Sequence, residues 1–170
     1  MRDFGQVELF EAEAIGEPGN RTFRLRLLSE GEAASLWLEK EQLAALTVAI
    51  RQLLEQTEEG DASPEAGAPS GGTFPDQPQV DFKIGRLGMG YDEAQRMVRI
   101  FAYEPDQDEN ATPSFSCNAT RDQCRAFADG ADELIRAGRP ICILCDGPID
   151  PGGHNCPRSN GHAVHPISLE

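Results

Sequence analysis

The chain has 170 residues, 39% of them hydrophobic and 26% charged, and a formal net charge of −14. That length and composition suit a soluble globular protein with one sizeable core or two small ones, and no stretch approaches the ~18 to 20 apolar residues that span a bilayer. Residues 1–60, 61–78, 79–140 and 141–170 each carry more Asp and Glu than Lys and Arg. This excludes a general nucleic-acid grip, which needs clustered basic groups to neutralise phosphates.

The opening Met1-Arg2-Asp3-Phe4 has no apolar run behind a basic region, so a cytoplasmic protein is expected. Val7 and Leu9, then Phe23, Leu25 and Leu27, alternate with polar residues around a turn signal at Gly16-Glu17-Pro18-Gly19-Asn20, which predicts a β-hairpin. Ser35-Leu36-Trp37-Leu38 predicts a third strand. Leu43, Leu46, Ile50, Leu53 and Leu54 then recur at the spacing of one helical face. Residues 1–57 thus form a β-β-β-α unit.

Residues 58–78 are acidic, small and rich in Pro and Gly, the composition of a flexible linker. Residues 79–139 repeat the first order. Val80, Phe82 and Ile84 lead through Gly85-Arg86-Leu87-Gly88-Met89-Gly90, taken as a turn, into Met97, Val98, Ile100 and Tyr103. A strand near Ser114-Phe115-Ser116-Cys117 precedes a helix bearing Cys124, Phe127, Ala131, Leu134 and Ile135, stopped by Gly138 and Pro140. Val7 aligns over Val80, Leu25 over Val98, Gln42 over Gln123, Leu43 over Cys124, Leu46 over Phe127 and Leu53 over Leu134. The expected fold class is therefore α+β, a tandem β-β-β-α repeat making one pseudo-symmetric, mainly antiparallel sheet domain with two helices. Cys117 and Cys124 fall at positions that are apolar in the first copy and read as buried core thiols.

The tail, residues 140–170, holds three of the five cysteines and all three histidines. In a reducing compartment, clustered thiols serve metal binding better than disulfides. Cys142-x-x-Cys145 lets one tight turn place two sulfurs on one Zn2+ ion, and Gly147 with Pro148 supplies the turn that follows. Cys156 is the third expected ligand. His162 is preferred as the fourth, because Pro157 to Gly161 can turn the chain back to the metal; His154 is the alternative, as fourth ligand or as a group orienting one. The result is a zinc-ribbon-like tail.

Weaker patterns resolve to structure. Gly85-x-x-Gly88-x-Gly90 leads to a strand rather than a helix amino terminus, so it is no phosphate loop. Asp106, Asp108, Glu109 and Asn110 lack the glycine and terminal glutamate of a calcium loop. Asn118-Ala119-Thr120 suits a helix amino-terminal cap.

The ending Arg139-Pro140-x-Cys142-x-x-Cys145-x-x-Pro148-x-Asp150-Pro151-x-x-His154-x-Cys156-Pro157-Arg158-x-Asn160-Gly161-His162 resembles the signature of a bacterial domain-of-unknown-function family found mainly in actinobacteria and Chloroflexi. The resemblance extends over nearly the whole chain, including Leu87-Gly88-Met89-Gly90. It implies a small cytoplasmic zinc-binding protein, encoded near kinase-like and histidine-phosphatase-like proteins.

Two functions are consistent with these patterns. One is a non-enzymatic binding or adaptor module with a structural zinc site and a protein partner, without nucleic acid or membrane. The other is a zinc-dependent hydrolase using a groove between body and tail, with Asp146, Asp150 or the spare histidine as acid or base. No catalytic residue set stands out elsewhere.

Overall fold

The computed structural model describes residues 1–57, 73–138, 141–149 and 152–158. Ten elements follow in order: β1 (Arg2–Gln6), β2 (Leu9–Ile15), β3 (Thr22–Ser29), β4 (Glu32–Leu38), α1 (Lys40–Gln56), β5 (Val80–Lys83), β6 (Arg86–Asp92), β7 (Met97–Tyr103), β8 (Phe115–Ala119) and α2 (Arg121–Arg136). The fold is α+β, with two mixed sheets of order β2-β3-β4-β5 and β1-β8-β7-β6. Each helix is preceded by four strands, where the sequence pattern suggested three.

The extra strands have a local cause. The β2–β3 hairpin forms as expected, from Leu9 opposite Leu28 to Ile15 opposite Thr22, around Gly16 and Gly19 at positive φ. Val7 does not continue into that strand. It sits in the step between β1 and β2, 1% exposed, with its N–H bonded to the Asn118 carbonyl at 2.9 Å.

The second half departs further from expectation, because the segment taken as a turn at Gly85 to Gly90 is mostly strand β6. Leu87, Met89 and Tyr91 pack against the core while Gly88 and Gly90 lie opposite Phe101 and Arg99. Glycines spaced by two in an edge strand keep the period of two without supplying a turn. The true reversal follows Asp92, whose carboxylate accepts the backbone N–H groups of Ala94 and Gln95, and includes Arg96 at φ 56°.

The first strand of each half joins the other half's sheet. β1 runs parallel to β8, and β5 runs parallel to β4. The Ile84 N–H bonds the Trp37 carbonyl at 2.7 Å, matching the bond made by Val7. Both helices open with a capping box: Gln42 answers Glu39 in α1, and Gln123 answers Thr120 in α2. The same two amides reach further. Gln123 donates to the Val7 carbonyl at 2.8 Å, and Gln42 donates to the Ile84 carbonyl at 3.3 Å.

One apolar core joins these layers. Phe10 of β2 stacks on Phe127 of α2 with ring centroids 4.0 Å apart, and Leu43, Ile50, Phe115, Cys117 and Cys124 are buried. Burial pushes the Cys117 thiol far up and the Cys124 thiol up to about 12, so both stay protonated core groups. The start of each helix lies by the end of the other: Arg121 donates to the carbonyls of Leu54 and Thr57, while Lys40 lies beside Gly138. Arg21 takes the last carbonyls of α2, at Leu134 and Ala137.

Residues 58–72 of the expected linker lie outside the described residues. Phe74, farther along it, rests over the Arg24 and Arg26 guanidiniums, and Gln79 accepts the Ala33 N–H at 2.7 Å.

Candidate metal centre

Beyond α2 the chain builds a short knuckle. Ile141 and Pro148 form an isolated antiparallel bridge, the Cys142 N–H reaches the Gly147 carbonyl at 2.8 Å, and the Asp146 N–H returns to the Cys142 carbonyl at 2.9 Å. Asp146 adopts φ 56°, a left-handed conformation that Asp tolerates better than most residues. Gly147 follows because space is short: a Cβ there would lie 3.3 Å from the Cys145 sulfur. The knuckle thereby turns Cys142 and Cys145 toward a common point.

A second segment closes over that point. Gly153 at φ 90° redirects the backbone immediately before His154, and residues 154–156 run as irregular chain. Cys142 Sγ and Cys156 Sγ stand 3.8 Å apart, and Cys145 Sγ lies 3.4 Å from His154 Nε2. All four donor atoms lie within 4.8 Å of one another. Arg158 ties the segments together by donating to the Leu144 carbonyl at 3.0 Å.

The thiols differ in acidity. The backbone N–H of Leu144, 3.5 Å from Cys142 Sγ, is the largest influence holding that thiol down to about 7, aided by the N–H of Cys145. For Cys145 the Gly147 N–H pulls down, but burial and hydrogen bonds with the Cys156 and Cys142 thiols together push the value up. Of this pair, Cys142 is therefore the readier to present the thiolate that binds metals.

Cys142, Cys145 and Cys156 converge, with His154 as the fourth donor. His162 and Asp150 lie outside the described residues. His154, the alternative to His162 in the sequence, follows directly on Gly153 at φ 90°. The roles of Asp146 as a left-handed residue and of Arg158 as a tie were not legible beforehand; the Asp146-Gly147 pair was the available signal for the first. Among the described residues, no other group of Cys, His, Asp and Glu gathers in this way. Thr120 caps α2 as expected, accepting the Gln123 N–H at 3.2 Å.

The model of the family described as "Protein of unknown function (DUF3090)" matches residues 2–156. The chain belongs to this family. The matched span contains Cys142, Cys145, His154 and Cys156 and ends before His162. No curated protein and no solved structure matches the chain. Three sulfurs and one imidazole nitrogen at these separations could hold a metal ion, and among the described residues no helix is long and apolar enough to cross a membrane.

Proposed function

We propose that the protein is a non-enzymatic binding module whose tail is folded by one Zn2+ ion on Cys142, Cys145, His154 and Cys156. The separation of the donors carries this reading. Tetrahedral zinc with Zn–S of about 2.3 Å and Zn–N of about 2.05 Å requires S···S edges of about 3.8 Å and S···N edges of about 3.5 Å. Two of the six edges match these, Cys142 Sγ to Cys156 Sγ at 3.8 Å and Cys145 Sγ to His154 Nε2 at 3.4 Å, and all six lie within 4.8 Å. Four protein donors complete the zinc shell and leave no position for a reacting water, which favours a structural ion over a hydrolytic one. The short tail has little core of its own, and metal free energy supplies what packing does not.

A net charge of −14 suits a basic protein partner, and a thiolate-bound metal suits the reducing cytoplasm. We further read the two runs of four strands and a helix as copies of one ancestral unit. The paired roles of Gln42 and Gln123 support that reading.

X-ray absorption on the purified protein tests the zinc assignment. The expected result is one zinc per chain with three sulfur neighbours and one nitrogen; an oxygen neighbour in their place rejects the structural site. His154→Ala should lose the metal while His162→Ala keeps it. Cys142→Ser should unfold the tail and leave the body cooperative.

A further inference from the structure

The knuckle and the body enclose a cleft of about 350 Å3. Its charged lining comes from Arg21 and Lys40 on one side of the balance and Glu41 and Asp146 on the other, with Phe23 and Ile141 among its apolar walls. We propose that this cleft binds a small zwitterion of the α-amino-acid class, its carboxylate against Lys40 and Arg21 and its ammonium against Asp146 and Glu41.

The unused bonding capacity of Lys40 points to the carboxylate end. Among the described residues Lys40 makes no ion pair, although the chain carries 29 acidic residues. Arg21 spends its terminal nitrogens on α2 carbonyls, so it brings positive charge to the cleft wall rather than a free donor.

The two ends of the helix pair are built differently. Arg121 begins α2 as Lys40 begins α1, and its guanidinium, with the residue 6% exposed, fills the corresponding place at the end of α1. At the end of α2 the carbonyls go to Arg21 instead, Lys40 stays beside them with no ion pair among the described residues, and the knuckle forms the far wall of the cleft. A simple anion would face the two carboxylates and a simple cation the two basic groups. Only a ligand bearing both signs answers all four. The volume lies at the lower end of the roughly 300–1,000 Å3 typical of small-molecule pockets, which suits a compact ligand with a modest apolar side chain.

The inference rests on the proposed zinc reading only because the folded knuckle supplies one wall, and metal content is read separately from ligand binding. The test is calorimetric titration of the metal-loaded full-length protein with free α-amino acids, alongside their decarboxylated amines and their deaminated acids. At least one apolar α-amino acid should bind, with its amine and acid counterparts each at least about tenfold weaker. Lys40→Gln and Asp146→Asn should each weaken binding about tenfold at unchanged zinc content and melting temperature. Absence of binding by every amino acid at about 10 mM, equal binding of an amine or acid counterpart, or undiminished binding by Lys40→Gln overturns the proposal.

Discussion

The Arg121 guanidinium donates to the Leu54 carbonyl at 2.9 Å, so the first residue of α2 closes the last turn of α1. It also reaches the Thr57 carbonyl at 3.1 Å and the Thr57 hydroxyl. α1 has no basic residue in its own last turn, so Arg121 supplies the charged donor there, beside the Thr57 hydroxyl, which lies 3.4 Å from the Leu54 carbonyl.

Replacing Arg121 by Met should therefore destabilise the protein by about 2–3 kcal/mol, because buried acceptors lose their donors. Lys should recover only part of that loss, since a single ammonium cannot reproduce the planar fork. Urea midpoints of the two variants give the comparison.

Gln42 and Gln123 predict an unequal pair of effects. Gln123 makes a part-buried bond of 2.8 Å to Val7, whereas the bonds from Gln42 to Ile84 and Gly85 are 3.3 Å and 3.2 Å. Gln123→Leu should cost about 1–2 kcal/mol and Gln42→Leu about half as much, because both lose a capping box but only one loses a short bond. Equal shifts in chemical denaturation would contradict the difference in geometry.

Gly90 distinguishes a strand from a turn. It lies opposite Arg99 in β6, and a Cβ built there meets nothing within 4 Å. Gly90→Val should then be neutral or stabilising by up to about 1 kcal/mol, since valine restricts the unfolded chain and suits an edge strand. A loss of stability in thermal unfolding would indicate a tight turn instead.

Metal uptake should release fewer protons than three thiols could supply. Where the knuckle is folded, the Leu144 and Cys145 N–H groups hold the Cys142 thiol down to about 7 while Cys145 is shifted upward, so uptake by the folded knuckle at pH 8 draws little proton from Cys142. Calorimetry of zinc binding in buffers of different ionisation enthalpy counts the protons. A lowered thiol value favours the folded knuckle above the unfolded cysteine value of about 8.5, and that contribution is lost as pH falls through about 7. Zinc occupancy should accordingly decline as the medium becomes acidic.

What could be read from the sequence was largely local. The Leu43-Leu46-Ile50 face, the Thr120-x-x-Gln123 cap and the hairpin between Leu9 and Leu28 depend on neighbours a few residues or one turn away, and each leaves a periodic or spacing signal. The same is true of the Cys142-x-x-Cys145 pair. The pairing of Arg2 with Phe115 is different, because a parallel ladder between distant segments leaves no pattern in either one. β6 was hidden by Gly88 and Gly90, whose turn propensity outweighs the alternation of Leu87, Met89 and Tyr91 in a short window. That His154 gathers with the three cysteines depends on the backbone at Gly153, which no spacing in the sequence reveals.

The crossing of β1 and β5 bears on how the chain comes to be folded at all. During synthesis β1 waits for β8 before it has a neighbour, and β4 lacks its parallel partner until β5 has been made. Neither half contains a finished sheet, so partial products should stay soluble only as loosely ordered chains. A cut between residues 57 and 73 should yield two pieces that are each incompetent alone and recover structure on mixing, with the rate of recovery rising with concentration.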